Sequence, residues 1–273
     1  MTHVSCSRRL HILASSHDHP STTPSTPQPP RSTFRRSQVL NTSQRNKLNR
    51  YNDQEWYEFP RFVQHSDDGF RRSVTELYRQ LLPNNDNNDT VILDLCSSWV
   101  SHLPQELKFK EVIGHGLNAQ ELIKNNQLDR FFVRNLNTDP DGWALSSNYV
   151  DAVLICCSVQ YIQQPERVFA EIHRVLKPGG IVIVTFTNRL FYEKAIAAWR
   201  DASMYARAQL VKEYIMNTVA VSSSEDGQKT DGFTRLTTLT SPVLPPSTNV
   251  IDFFITKFLS QDPFYAVYAY KQS

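Results

Sequence analysis

Between residues 150 and 186 the hydrophobic pattern changes period twice. Residues 150–157 form a short apolar run bounded by polar residues, the pattern of a strand buried on both faces. Behind Pro165, which suits a first helical turn, Val168, Phe169, Ile172, Val175 and Leu176 recur at helical spacing. Lys177-Pro178-Gly179-Gly180 predicts the stop, because glycine permits a left-handed cap and proline bars continuation. Residues 181–186 predict a second buried strand. A strand–helix–strand unit of this length is a parallel crossover. Upstream, 69–82 reads as a helix with Val74, Leu77, Tyr78, Leu81 and Leu82 on one face. Residues 91–95, the stretch from Glu111, and the stretch from Arg130 read as three more strands, the second running into a helix. Downstream, 191–200 and 203–216 read as helices, 233–239 as a strand candidate, and 250–258 with 264–270 as a closing antiparallel pair. The whole is a doubly wound α/β domain with helices on both faces.

Composition adds bounds. The 273 residues are 40% hydrophobic and 11% aromatic, enough for a sizeable core. A net charge of +2 names no polyanionic partner, and no nucleic acid is expected. Cys6, Cys96, Cys156 and Cys157 show no Cys-x-x-Cys or zinc spacing, so no metal is expected and a reduced compartment fits best. Cys156 reads as a small core residue, and His102, His115 and His173 as structural, with His173 on the outer side of its helix. No apolar run is long enough for a membrane span.

The chain divides at about residue 50. Residues 1–50 carry seven arginines and one lysine against Asp18 alone, and serine, threonine and proline dominate 15–37. Such a segment buries too little apolar surface to fold. It reads as an organelle transit peptide, chloroplast before mitochondrion, or as an ordinary disordered tail of a cytoplasmic protein. Residues 51–273 form the folded domain, with flexible loops at 221–232 and 241–248. The aromatic segment 51–63 reads as a strap over a hydrophobic edge or as a lid on the site.

The run from Tyr149-Val-Asp-Ala-Val to Glu171-Ile-His-Arg-Val-Leu-Lys-Pro-Gly-Gly180 resembles the fourth strand, fourth helix and fifth strand of class I S-adenosylmethionine-dependent methyltransferases, in particular the type 11 group. The resemblance covers 90–188. It implies a seven-stranded, mostly parallel sheet, S-adenosyl-L-methionine as cofactor and a small-molecule acceptor; oligomeric state stays open. It implies a cofactor loop after the first strand, where the family has an acid and three glycines. Here Asp94 keeps the acid, while Cys96, Ser97, Ser98 and Trp99 stand where glycines would. Further cofactor contacts are implied at Gly114 and Gly116, at Asn118, which either bonds a ribose hydroxyl or caps the next helix, and at Asn135 and Leu136 beside the adenine. Ser158 and Tyr161 would face the transferred methyl, with Trp99 and Arg61 in the acceptor pocket. No catalytic acid or base stands out. Methyl transfer from a sulfonium requires none, because the leaving group needs no proton. The alternative is a binding or assembly module that has lost the cofactor.

Overall fold

The computed structural model describes residues 11–12, 38–83, 87–218, 220–221, 230–243 and 262–273. Seven strands form the sheet: β1 (Val91–Asp94), β2 (Glu111–Gly116), β3 (Arg130–Val133), β4 (Val150–Cys156), β5 (Leu176–Phe186), β6 (Phe233–Leu239) and β7 (Tyr265–Lys271). Their order is β3-β2-β1-β4-β5-β7-β6, and His11–Ile12 adds a two-residue edge beside β3. β1 to β5 are mutually parallel, and β7 runs antiparallel between β5 and β6. The mostly parallel seven-stranded sheet predicted from sequence is therefore present.

Strand alternation divides the core in two. Val91, Leu93, Val153, Ile155, Val182 and Val184 face one cluster, which helices α4 (Pro165–Val175) and α6 (Met204–Met216) cover. Ile92, Val112, Ala152, Leu154, Ile181 and Ile183 face the other, under α2 (Asp68–Leu81) and α3 (Ala119–Lys124). Strands with covered faces on both sides read as unbroken apolar runs, which is why β1, β4 and β5 stood out. Side-chain caps start four helices: Asn52 on α1 (Asp53–Trp56), Asp67 on α2, Asn118 on α3 and Ser203 on α6. The first residues of β5, just after α4, include Gly179 at φ +76°. A Cβ on Gly180 would stand 2.9 Å from the Lys177 carbonyl oxygen, so both glycines are required there.

Three expectations change. Residues 38–50, assigned to the tail, pack on the domain: Leu40 is fully buried, and Glu166 accepts the Val39 and Leu40 N–H groups and both ends of the Arg45 guanidinium. The predicted helix over 191–200 is a 3-10 turn, Tyr192–Lys194, followed by the short α5 (Ala197–Arg200). His173 is buried against Phe233, the first residue of β6, at 5.3 Å between rings. The strand predicted at 250–258, residues 1–37 of the transit segment apart from His11–Ile12, and most of the two loops lie outside the described residues. β7 takes β6 as its outer neighbour instead.

Candidate active site

Parallel strands that reverse their order at β1 and β4 leave a crevice beyond their carboxyl ends, where doubly wound folds hold ligands. A cavity of about 310 Å³ occupies that place. It is at the small end of the range of about 300–1,000 Å³ that ligand sites span. Every predicted site residue except Gly114 lines it: Asp94, Cys96, Ser97, Ser98, Trp99, Gly116, Asn118, Asn135, Leu136, Ser158, Tyr161 and Arg61.

The loop after β1 does without glycine by three devices. Cys96 itself takes the left-handed conformation, φ +58°. Its N–H donates to Nδ1 of His115 at 3.1 Å, and the Ser97 N–H donates to the His115 carbonyl at 2.6 Å. Nε2 of the same ring donates to the Arg134 carbonyl at 2.8 Å, which fixes the tautomer. Gly116 in β2 provides the close approach that loop glycines normally allow: a Cβ there would lie 2.6 Å from the Ser97 carbonyl oxygen. Gly114 is a correction. It sits two residues deeper in β2, between Asp94 and Phe131, and makes room for Leu128 rather than for a ligand.

Asp94 is buried and accepts the Ser97 hydroxyl at 2.5 Å. Burial pushes its carboxyl up to about 7, against the lowering effect of Ser101 and Ser97. Burial likewise pushes His115 down to about 4, so its ring is neutral. Ser158 places its hydroxyl between the Cys96 and Cys156 carbonyl oxygens, at 3.2 and 2.9 Å, tying the ends of β1 and β4. Asn118 caps α3 with its side-chain oxygen and gives both amide protons to the Tyr57 and Glu58 carbonyls. Its hydrogen-bonding capacity is used within the protein. The side-chain oxygen of Asn135 likewise accepts the Asn137 N–H, as a turn residue does.

The opposite wall comes from the aromatic segment, which here covers the site. Arg61 stacks against Tyr57, Trp56 and Phe191, its guanidinium carbon 5.1, 5.5 and 5.6 Å from the ring centres. One nitrogen donates to the Trp56 carbonyl, and the other, Nη1, is buried without a hydrogen-bond partner among the described residues. The Tyr161 hydroxyl accepts the Phe191 N–H at 2.8 Å, and burial pushes the phenol up to about 12. His65 packs edge-on to Phe191, and burial lowers its pKa, which favours the neutral ring. Trp99 does not plug the hollow. Its indole leans on Phe62 at the rim and reaches the Val63 carbonyl.

Sequence reasoning missed two groups. Glu121, in the first turn of α3, accepts the Arg61 N–H at 2.6 Å and the Ser98 hydroxyl, joining lid, loop and helix. An acid five residues past the end of β2 was the only signal. Asp53, within the lid segment, lies 2.7 Å from both Lys47 and Lys194 and is bonded to Asn137 at 2.7 Å; Lys47 is six residues away, but Asn137 and Lys194 are distant in sequence. Cys156, expected in the core, packs half-buried against the core cluster under α2 and also lines the cavity.

Residues 93–184 match the family described as "Methyltransferase domain". The match begins at the third residue of β1 and ends within β5, so the cavity lies at the carboxyl ends of the strands in the matched segment. The seven-stranded, mostly parallel sheet that the class I resemblance implied is present, with β7 antiparallel in it. No match is found among curated proteins. Among solved structures, the chain is similar to phosphoethanolamine N-methyltransferase 2 of Haemonchus contortus, solved with S-adenosyl-L-methionine, at 15% identity, 76% of this chain, 53% of that one and TM-score 0.47. It is similar to an S-adenosylmethionine-dependent methyltransferase of Mesorhizobium loti at 13% identity, 72% and 97% coverage and TM-score 0.44. A third, from Archaeoglobus fulgidus, gives 11% identity, 74% and 94% coverage and TM-score 0.43. The chain spans about half the length of the Haemonchus enzyme.

Proposed function

We propose that the protein is an S-adenosyl-L-methionine-dependent methyltransferase with a small-molecule acceptor. The observation that carries this reading is the open cavity beyond Asp94, kept by Cys96 in the glycine conformation and by the bare Gly116. Asp94 and the Ser97–Ser98 backbone would hold the cofactor's amino-acid end, and Asn135 and Leu136 would flank its base. Arg61 offers its unpartnered Nη1 to a carboxylate in the cavity. The bound sulfonium supplies an activated methyl group. The chain's own contribution is to fix two reactants in line and exclude water, an effect that can supply about 7–11 kcal/mol. Tyr57, Tyr161 and Phe191 wall the acceptor side with aromatic surface. A cavity this size, roofed by the lid, fits a small acceptor rather than a macromolecular one.

The reading has a test that needs no acceptor. A cationic ligand beside Asp94 would drive off the proton that burial keeps there near pH 7. S-adenosylmethionine binding measured by calorimetry at neutral pH should then release protons, seen as a heat that changes with the buffer's ionisation enthalpy. The same heat in all buffers would remove Asp94 from the cofactor site. Chloroplast import of the basic, acid-poor start is a separate proposal; a fluorescent fusion that stays in the cytosol would dismiss it.

A further inference from the structure

The lid cluster is one anion short in formal charge. Three cations meet there: Lys47 and Lys194, each 2.7 Å from Asp53, and Arg61, which like Lys194 lies over the Trp56 ring. Two carboxylates face them. Asp53 takes both lysines, while Glu121 accepts the Arg61 backbone N–H and the Ser98 hydroxyl instead of the guanidinium. The other acids of the lid segment, Glu55 and Glu58, are exposed.

The shortage falls on Arg61. Its guanidinium carbon lies 5.1, 5.5 and 5.6 Å from the ring centres of Tyr57, Trp56 and Phe191, and its Nη2 donates to the Trp56 carbonyl at 2.9 Å. Nη1 is buried and has no partner among the described residues. Buried donors are nearly always hydrogen-bonded, and a charged one more than most. Trp199, Arg200 and Tyr214 also leave a buried donor over, but none of them lines the cavity. Arg61 does, on the lid wall, across from Asp94 and Ser97. An acceptor for its hydrogen bond must therefore come from a ligand.

We propose that the methyl acceptor is a small aromatic carboxylic acid, its carboxylate held by Arg61 and its ring packed among Tyr57, Tyr161 and Phe191. The proposal rests on the methyltransferase reading of the cavity and names its second reactant. A carboxylate fits this arginine for two reasons. Its two coplanar oxygens match the planar edge of a guanidinium. Its single charge offsets the single excess cation, whereas a phosphate dianion would overshoot. The rings supply the rest of the shape. Phe191 meets Tyr57 edge-on at 6.4 Å and lies tilted to Tyr161 at 6.1 Å, so a flat ligand finds both ring edges and ring faces.

The test titrates the full chain in a calorimeter with 2-naphthoate and with its neutral isostere 2-naphthamide, in saturating S-adenosylhomocysteine and without it. Naphthoate should bind at least about tenfold more tightly than naphthamide, because only the carboxylate forms a charge-assisted pair. Equal affinities would overturn the proposal. Acetate should bind at least about tenfold more weakly than naphthoate, because it buries no ring. Acetate binding as tightly would remove the aromatic body from the assignment. Arg61→Gln should abolish the preference for naphthoate over naphthamide, and Arg61→Lys, which keeps the charge but not the fork, should retain part of it. A preference that survives Arg61→Gln would contradict the assignment. If Arg61→Gln lowers S-adenosylhomocysteine affinity by the same factor as naphthoate affinity, the guanidinium belongs to the cofactor's carboxylate and the proposal falls. S-adenosylhomocysteine binding without naphthoate selectivity would overturn this proposal alone. Naphthoate selectivity in a chain that binds no S-adenosylhomocysteine would leave the Arg61 site standing and count against the cofactor reading instead.

Discussion

The cavity's two walls are held by unlike means. On the strand side, Asp94 to Ser98, His115 and Gly116 are placed by backbone: sheet register, two N–H groups on one histidine residue, and a missing Cβ. On the lid side, Lys47, Asp53, Lys194 and Arg61 are placed by side-chain charge and aromatic faces. The contrast teaches where each wall is vulnerable. A wall built from backbone tolerates side-chain exchange and fails when volume is added. A wall built from buried charge fails when one partner is removed, because the charge left behind has no water to return to.

The sharpest break should come on the lid side. Asp53→Ala strands Lys47 and Lys194, both buried, and should cost about 3–5 kcal/mol in denaturant unfolding. A loss smaller than that of Gly116→Ala would reverse the comparison.

The next effect lies on the strand side and is read through pH. His115 is held neutral, its pKa depressed from 6.5 to about 4. The stability this gives is present above pH 6.5 and is lost as pH falls toward 4, a difference of roughly 3 kcal/mol. Asp94 has the opposite sign. Its pKa is raised from 3.8 to about 7, so its contribution is lost as pH rises through that window. The two slopes offset between about pH 4 and 6.5 in the native chain. Asp94→Asn should expose the histidine slope, giving stability that climbs steeply with pH over that range. Unfolding curves with the same pH slope in both proteins would show that Asp94 is already ionised.

Gly116→Ala pushes a methyl group against the Ser97 carbonyl and should cost about 1–3 kcal/mol, with a matching loss of ligand binding. Cys96→Gly should be the mildest change, neutral to about 1 kcal/mol stabilising by thermal unfolding, since it relieves a left-handed side chain. A clear destabilisation by Cys96→Gly would mean that the thiol, not the turn, matters at that position.

The same division explains what could be read from sequence. β1, β4, α4 and β5 were legible because strands covered on both faces and a one-sided helix leave periods in the chain. Asp94 and its serines were legible because the carboxyl end of a buried strand marks the loop that meets a ligand. Asp53 and Glu121 were not. Each depends on partners brought in by a lid or a crossover, and neither of those leaves a period. Residues 38–50 misled for a related reason: Leu40 and Arg45 are single anchors within a polar stretch whose composition reads as a tail.

The central claim is that an adenosyl ligand occupies the cavity beside Ser97. Titrating the purified chain with S-adenosylhomocysteine in a calorimeter tests it most directly. The account predicts a saturable one-site heat and a raised melting temperature, both abolished by Ser97→Trp or Asp94→Ala and kept in Cys156→Ala. No heat and no change in melting temperature at millimolar ligand, or equal binding by all three variants, would contradict it.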